Sequence, residues 1–341
     1  MPTDPMDEHS QRTQTQTVLV TGANGFIGSR LCMSLVAHGF NVVAGVRENA
    51  DLRRLENLDV TYARGDITCP ESLPEMISGM DTVIHNAGLI KARKPSRIFE
   101  VNTRGSEELY AACLRSETVR RFVFVSSLAA AGPSNGKPRS ETDFPAPVTR
   151  YGLSKLKAEE ALLRQSKQHS RINLQIVRPP GVYGPGDREV FKFFQTLNRG
   201  IRPLVGNVKR RLNLVYVDDL AEGISRLIEH EAPSGNIYFL AETASYSFEE
   251  LIGHIGAAVG RKGIPLPVPG WALKTLGAVT QAGAGLIGAT PMLTLEKAKE
   301  ILHSWEVNSA SARADFDFSP AISFPEGARL TVAWYRDHGW L

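Results

Sequence analysis

Short, uniformly apolar runs alternate with longer segments of helical periodicity over the first half of the chain. The apolar runs predict strands at 18–20, 41–46, 60–63, 82–85, 122–125 and 174–177. Helices are predicted between them at 27–38, 70–78, 95–115 and 150–168. Strands that are apolar on both faces belong to parallel sheets covered by helices, so the pattern predicts a doubly wound parallel sheet. Its ligands are expected at the carboxyl ends of the strands.

A glycine-rich segment follows the first predicted strand and leads into the first helix. Its sequence is Thr21-Gly22-Ala23-Asn24-Gly25-Phe26-Ile27-Gly28. Glycine permits a sharp turn and a close approach of the backbone to a pyrophosphate, and the helix N-terminus offers free N–H groups. The spacing is GxxGxxG rather than GxGxxG. Its position after the first strand nevertheless favours a dinucleotide-binding (Rossmann) loop over an ordinary tight turn.

The ends of the next two strands carry residues that could select the cofactor. Arg47 ends the second strand, where an arginine can pair with the 2′-phosphate of NADP. In the alternative, Arg47 is solvated and Glu48 serves the ribose of NAD. We predict NADP in preference to NAD. Asp66, after the third strand, is a candidate partner for the adenine amino group or a simple turn residue.

The pattern changes after Arg178, where Pro and Gly cluster between 179 and 186. Helices then dominate, with short strands predicted at 214–217 and 237–240. With 341 residues the chain is longer than one hydrophobic core usually supports. We therefore expect a disordered leader (1–16), a dinucleotide-binding domain (17–178) and a smaller, mostly helical substrate-binding region (179–341). This division leaves open that the strands predicted after residue 178 pair with the main sheet.

Composition narrows the possible partners. The apolar content of 42% argues against a disordered chain, and the net charge of +3 offers no basic face for nucleic acid. Cys32, Cys69 and Cys113 are scattered without a CxxC motif, and the eight histidines show no ligand spacing, so no metal is expected. A small-molecule substrate and a reducing, cytoplasmic location are predicted.

A tyrosine, a lysine and a serine form the candidate chemical group. Tyr151 and Lys155 lie four residues apart at the start of a predicted helix and therefore share a face. A nearby ammonium favours the ionised phenol, which would let Tyr151 exchange a proton with an alcohol near neutral pH. Ser127 follows the fifth strand, where its hydroxyl could orient the reacting oxygen.

Taken together, the motifs resemble those of the extended short-chain dehydrogenase/reductases. They follow the family order from residue 17 to about 230. The matching segments are Thr21–Gly28, Gly65–Ile67, His85–Gly88, Val101–Gly105, Ser126–Ser127, Tyr151–Lys155, Arg178–Gly186 and Leu214–Asp219.

The resemblance implies roles for individual residues. Tyr151 would be the acid/base, Lys155 would also hold the nicotinamide ribose, and Ser127 would polarise the carbonyl or hydroxyl. Asn102 would lie near the site or serve as a structural helix residue. The long helices at 95–115 and 150–168 would pair between subunits of a homodimer. The implied cofactor contacts are Gly22, Asn24, Gly25, Phe26, Ile27, Gly28, Arg47, Asp66, Ile67, Ala87, Gly88, Tyr151, Lys155, Pro179, Gly181 and Val182.

At two positions the chain departs from the pattern of the members that act on nucleotide sugars, which indicates the branch of the family. Members that act on nucleotide sugars usually carry an asparagine where this chain has Gly181, and an arginine where it has Leu212, next to Arg211. The chain is closer to the branch of 3β-hydroxysteroid dehydrogenases and dihydroflavonol reductases, which act on hydrophobic alcohols and ketones. The leading hypothesis is an NAD(P)-dependent oxidoreductase, with a sugar-nucleotide epimerase/dehydratase and a non-catalytic NADP-binding scaffold as alternatives.

One C-terminal segment is almost uncharged. Between Gly263 and Leu295 the only charged residue is Lys274. The segment could be a buried helix pair, a lid over a hydrophobic substrate or a peripheral membrane contact. A transmembrane span is not expected, because Lys274, Gln281 and Pro291 interrupt it. Two basic clusters, 91–94 and 209–211, are predicted to be solvated loops, or alternatively contacts to anionic ligands.

Overall fold

The computed structural model describes residues 15–287 and 293–341, with residues 284–287 described by their backbone alone. Most of the predicted leader, and the residues 288–292 of the uncharged segment, lie outside the described residues. The strands are β1 (Thr17–Thr21), β2 (Asn41–Val46), β3 (Thr61–Arg64), β4 (Thr82–His85), β5 (Arg121–Val125), β6 (Asn173–Val177), β7 (Gly181–Tyr183), β8 (Ile201–Val205), β9 (Arg211–Leu212), β10 (Leu214–Tyr216), β11 (Asn236–Tyr238), β12 (Tyr246–Ser247) and β13 (Ile264–Val268).

The helices surround the strands and connect them. They are α1 (Phe26–Ala37), α2 (Leu73–Met76), α3 (Pro95–Phe99), α4 (Gly105–Arg115), α5 (Leu128–Ala131), α6 (Arg150–Gln168), α7 (Phe191–Asn198), α8 (Val217–Glu229), α9 (Phe248–Val259), α10 (Gly270–Ile287), α11 (Leu295–Ile301), α12 (Ala310–Phe316) and α13 (Phe324–Asp337). Within the described parts of the chain, no helix is long and apolar enough to span a bilayer.

Seven strands form one parallel sheet in the order β11-β6-β5-β4-β1-β2-β3. The predicted doubly wound Rossmann sheet is confirmed. The order reverses between β1 and β4, and ligands of such sheets bind in the crevice at this switch point. β11 comes from beyond Arg178 and pairs with β6, so a later strand does rejoin the main sheet.

Two predicted helices differ in detail. The helix predicted at 70–78 is a 3₁₀ turn (Pro70–Ser72) followed by the short α2. The helix predicted at 95–115 contains one π-helical stretch, Glu100–Arg104, between α3 and α4. A π turn widens the helix by one residue, which hydrophobic periodicity does not reveal. This stretch carries Asn102.

The sheet is covered by an apolar core on each face. α1 and α8 pack on one face, and α4 and α6 on the other. A third core, rich in aromatic side chains, holds the C-terminal region together around small two-stranded sheets; its largest members include Tyr183, Phe194, Phe248, Phe324 and Tyr335.

Candidate active site

The glycine segment forms the tight loop that the sequence predicts. Gly22 has φ +67°, and a Cβ atom there would lie 2.9 Å from the Ala87 Cα. A Cβ atom on Gly28 would lie 2.1 Å from the Gly22 carbonyl oxygen. α1 begins at Phe26 with no capping side chain and no acidic residue in its first turn. This cradle of glycines with uncapped N–H groups fits a dinucleotide pyrophosphate.

The ends of β2 and β3 place Arg47 and Asp66 close enough for their charges to interact. Desolvation would raise the pKa of Asp66, but hydrogen bonds from Thr68 and the charge of Arg47 outweigh it and hold the pKa below its ordinary value. Asp66 Oδ1 accepts from the Thr68 backbone N (2.8 Å) and hydroxyl (2.7 Å), as a turn residue does. Glu48 forms an ion pair with Arg64 (3.4 Å).

A directed chain of buried hydrogen bonds joins β1, β4 and the π-helical stretch. The Thr21 hydroxyl accepts from the Ala87 N–H (3.2 Å) and lies 2.7 Å from His85 Nδ1. His85 Nε2 lies 2.9 Å from the Ser106 hydroxyl, which donates to the Asn102 carbonyl (2.6 Å). Because the Ser106 hydroxyl donates to the Asn102 carbonyl, it accepts from His85 Nε2–H, and in the neutral ring Nδ1 then accepts from the Thr21 hydroxyl. Burial lowers the pKa of His85 to about 3.

Asn102 uses its whole side chain to fix the active-site loop. Its Oδ1 accepts from Leu89 N (2.7 Å), and its Nδ2 donates to the Leu89 carbonyl (2.8 Å) and to the Ser154 hydroxyl (2.9 Å). Gly88 lies beside this contact, where a Cβ atom would be 3.2 Å from Asn102 Oδ1 and 3.4 Å from Lys155 Nζ. Asn102 therefore has the structural role, and Gly88 leaves space next to the lysine.

Helix α6 brings Tyr151 to Ser127. Thr149 caps the helix by accepting from Gly152 N (3.0 Å). A Cβ atom on Gly152 would lie 2.2 Å from the Ala129 carbonyl, so only glycine allows α6 to pack this closely on α5. Ser127 caps α5 by accepting from Ala129 N (3.1 Å), and its hydroxyl lies close enough to Tyr151 to lower the pKa of the phenol. The sequence did not reveal the contribution of Gly152.

The electrostatics of Tyr151 differ from the expectation. Burial raises the pKa of Tyr151 to about 12; the hydrogen bond with Ser127 opposes this rise, and the charge of Glu300 adds to it. Lys155 instead donates to the Val125 carbonyl (2.8 Å) and lies 4.6 Å from the centre of the Phe124 ring. The expected lowering of the phenol pKa by the ammonium is therefore wrong in this structure, because desolvation dominates.

Lys155 is a buried cation at the sheet edge, with only 3% of its surface exposed. Burial lowers the pKa of Lys155 to about 8, against the attraction of the Glu159 carboxylate. Glu159 also accepts from Arg178 Nε (2.9 Å) and from the Ser126 hydroxyl. Both members of the Glu159–Arg178 pair are almost fully buried. This ion pair joins α6 to the end of β6.

The segment after β6 lines the same crevice. The Pro179 carbonyl accepts from Leu128 N (2.8 Å), which joins it to the strand end that carries Ser127. Gly181 is exposed and Val182 is half-buried. A Cβ atom on Gly181 would lie 2.9 Å from a methyl group of Leu214, its buried partner on β10.

Helix α11 covers the active-site end of α6. Glu296 accepts a hydrogen bond from Arg150 N (3.1 Å) and forms an ion pair with its side chain (3.1 Å). Because Glu300 on the same helix raises the pKa of Tyr151, α11 lies beside the phenol. The uncharged C-terminal segment is thus connected to the site through α11.

The charged residues of the two basic clusters are exposed, as predicted for solvated loops, with the exception of Arg210. Arg210 is buried, with its guanidinium 3.9 Å from the Phe248 ring centre, so the solvated-loop prediction is wrong for this residue. Arg211 pairs with Glu306 (3.2 Å), and Lys91 pairs with Glu189 (2.9 Å). Composition alone does not distinguish a buried or ion-paired arginine in a basic run from a solvated one.

Comparison with known proteins agrees with this geometry. Residues 18–241 match the model of the NAD dependent epimerase/dehydratase family. The chain is 30% identical to a ceramide reductase of Caulobacter vibrioides, over 95% of this chain and 96% of that protein. It is 27% identical to a 2-alkyl-3-oxoalkanoate reductase of Stenotrophomonas maltophilia, over 93% and 98%.

Among solved structures, a UDP-glucose 4-epimerase of Thermotoga maritima superposes with a TM-score of 0.78 over 95% of this chain and 99% of that one. At 21% identity this likeness concerns the fold alone. The cradle of glycines, the strand-end serine and the family match together lead to one conclusion. The chain belongs to the NAD-dependent epimerase/dehydratase family and is an enzyme of the extended short-chain dehydrogenase/reductase type.

Proposed function

We propose that this enzyme is an NADP-dependent reductase of a ketone carried on a hydrophobic substrate. The observation that carries the proposal is the contact of Tyr151 with Ser127 at the carboxyl edge of the sheet, beside the buried Lys155. The named reductases among the relatives support it. A hydrophobic substrate is further supported by Gly181 and Leu212, which stand where relatives acting on nucleotide sugars usually carry an asparagine and an arginine.

The chain's own residues supply the proton chemistry. With its pKa raised to about 12, Tyr151 is protonated at neutral pH and is suited to donate its proton to a carbonyl oxygen. Ser127, held by Ala129 N, orients that oxygen. Lys155 lies one turn further along α6 and would hold the nicotinamide ribose, as the family resemblance implies. The nicotinamide, when bound, supplies the hydride that completes the reduction.

Turnover of Tyr151→Phe tests this mechanism. We expect kcat to fall by about 10²–10⁴-fold, because the proton donor is lost. NADPH binding, followed by quenching of protein fluorescence, should be unchanged. Tyr62→Phe, at an exposed tyrosine outside the site, is the matched control. Unchanged turnover in Tyr151→Phe would refute the mechanism. Product formed from a UDP-sugar without net oxidation of NADPH would support the epimerase alternative.

We also propose that Arg47 selects NADP. Arg47 is exposed, and it makes no ion pair among the residues that the structure describes. Its neighbour Glu48 forms an exposed ion pair with Arg64 (3.4 Å), whose guanidinium also donates to the Glu48 backbone carbonyl. Arg47→Glu should reverse the ratio of kcat/KM for NADPH over NADH. Arg53→Glu, at an arginine already paired with Asp51, is the control and should leave the preference for NADPH in place.

The subunit arrangement and location complete the proposal. A homodimer through α4 and α6 would be detected by light scattering on the purified protein. A cytoplasmic location is supported by Cys32, Cys69 and Cys113, which are all free thiols. Residues 179–341 would then provide the substrate-selecting part of the enzyme.

A further inference from the structure

Large exposed apolar side chains are concentrated on one edge of the C-terminal region. We call this surface the apolar edge; it comprises Ile201, Ile264, Leu266, Trp271, Leu276 and Val279. Ile264 and Trp271 are 76% and 72% exposed. Single exposed apolar residues are ordinary on soluble proteins, whereas a contiguous group of them marks an interaction surface.

The local structure holds these side chains outward. Strands β8 and β13 pair in parallel, with Ile201 opposite Ile264. Ile264 and Leu266 lie two residues apart and therefore on the same side of β13. The chain then enters α10, where Trp271 and Val279 are eight residues apart and share a face. The ribbon and the helix follow each other directly in the chain, and both carry exposed apolar side chains.

The charges within the segment that carries most of the apolar edge have a single sign, while on β8 the cation Arg202, next to Ile201, pairs with Glu249 (3.4 Å). From Arg261 to Leu295 the sequence contains Arg261, Lys262 and Lys274 and no acidic residue. All three cations are exposed. Exposed apolar side chains with a tryptophan, beside three exposed cations of the same segment, complement a membrane interface, where anionic headgroups lie above the acyl chains. A second protein would have to supply the negative rim that an anionic membrane presents by itself.

The apolar edge is connected to the active site by one layer of helix. A Cβ atom on Gly277 would lie 2.8 Å from the Thr294 carbonyl, so α10 packs closely on the start of α11. The Thr280 hydroxyl donates to the Leu293 carbonyl (2.6 Å). α11 in turn contacts Arg150, next to Tyr151, through Glu296.

We propose that the apolar edge binds to an anionic lipid surface and that the enzyme takes its hydrophobic ketone from that surface past α11. The second half of this statement rests on the proposed function; the first does not. The membrane contact is peripheral, because the apolar side chains lie on one face of a ribbon and a helix that does not span the bilayer.

Vesicle sedimentation of the NADPH-bound enzyme tests the docking directly. We expect binding to vesicles of phosphatidylcholine mixed with phosphatidylglycerol, and weaker binding to phosphatidylcholine alone. Trp271→Glu and Val279→Asp should each weaken binding by about tenfold, because each removes an exposed apolar side chain that the membrane would bury. Lys274→Glu should weaken it by roughly fivefold on the anionic vesicles. Phe144→Glu, at a 93% exposed aromatic residue outside the edge, is the control and should bind as the wild type does.

The outcomes separate docking from catalysis. Reduction of a short, water-soluble ketone should be the same in Trp271→Glu and the wild type, whereas reduction of a long-chain ketone presented in vesicles should fall with binding. Absence of vesicle binding, or binding that the edge variants do not weaken, would overturn the docking proposal. A change of oligomeric state in Trp271→Glu, measured by light scattering, would assign the edge to a second copy instead. Vesicle binding without reduction of any ketone would leave the docking intact and refute the proposed function.

Discussion

Replacing Lys155 by methionine should make the cofactor-free protein more stable. Methionine fills a similar space without the charge. A fall in pKa from 10.5 to about 8 corresponds to about 3 kcal/mol of destabilisation by the buried ammonium. Loss of the hydrogen bond to the Val125 carbonyl destabilises the variant by about 1 kcal/mol. The net gain expected at pH 7 is therefore about 2 kcal/mol.

The gain should depend on pH in a defined direction. Between pH 8 and 10.5 the unfolded chain binds more protons at this lysine than the folded chain does, so wild-type stability rises with pH in that window. The advantage of Lys155→Met should therefore shrink by about 2 kcal/mol between pH 7 and pH 9.5. Other groups titrate in both proteins and cancel in the difference.

Urea unfolding followed by circular dichroism measures the effect at both pH values. Lys157→Met, at an exposed lysine of the same helix, is the control and should change stability by less than about 0.5 kcal/mol. A Lys155→Met protein that is less stable than the wild type at pH 7, or an advantage that does not narrow at pH 9.5, would refute the reasoning. The lysine would then be better solvated in the folded protein than its burial indicates.

Three further predictions concern other buried groups. Glu159→Ala leaves the Arg178 cation without its partner and should cost about 3–5 kcal/mol in urea unfolding. The pKa of His85 is about 3 in the folded protein and 6.5 in the unfolded chain. The free energy of unfolding is therefore constant above pH 6.5 as far as His85 is concerned, and it falls by about 2 kcal/mol between pH 7 and pH 5. His85→Asn should remove that loss. Gly28→Ala should abolish thermal stabilisation by NADPH, since its methyl group meets the Gly22 carbonyl.

The sequence was sufficient for the sheet, because hydrophobic patterning is a direct consequence of burial. The boundaries of β2, β4 and α6 agree with prediction to the residue. The π-helical stretch at Asn102 was not predictable, since it depends on hydrogen bonds to Leu89 and Ser154 made across the fold.

The candidate site shows the same limit. The sequence motifs identified Ser127, Tyr151 and Lys155 because residues of these types at this spacing are suited to proton transfer. The chain of hydrogen bonds from Thr21 through His85 to Ser106 was missed. In the sheet, Thr21 and His85 are register partners on β1 and β4, 64 residues apart. A pairing of this kind follows only from the strand order. The predicted lowering of the pKa of Tyr151 was wrong for a related reason. The burial that raises this pKa results from packing across the whole fold.

The return of β11 to the main sheet has a consequence for how the enzyme folds and diversifies. β11 pairs with the outer edge of β6. The Tyr238 carbonyl accepts from Arg178 N (2.8 Å) across the boundary between the two regions. A fragment ending at 178 would expose an unpaired strand edge and is expected to aggregate. The two halves are therefore not exchangeable modules. New substrate preferences must arise by changes in loops and helices that leave this shared strand in place.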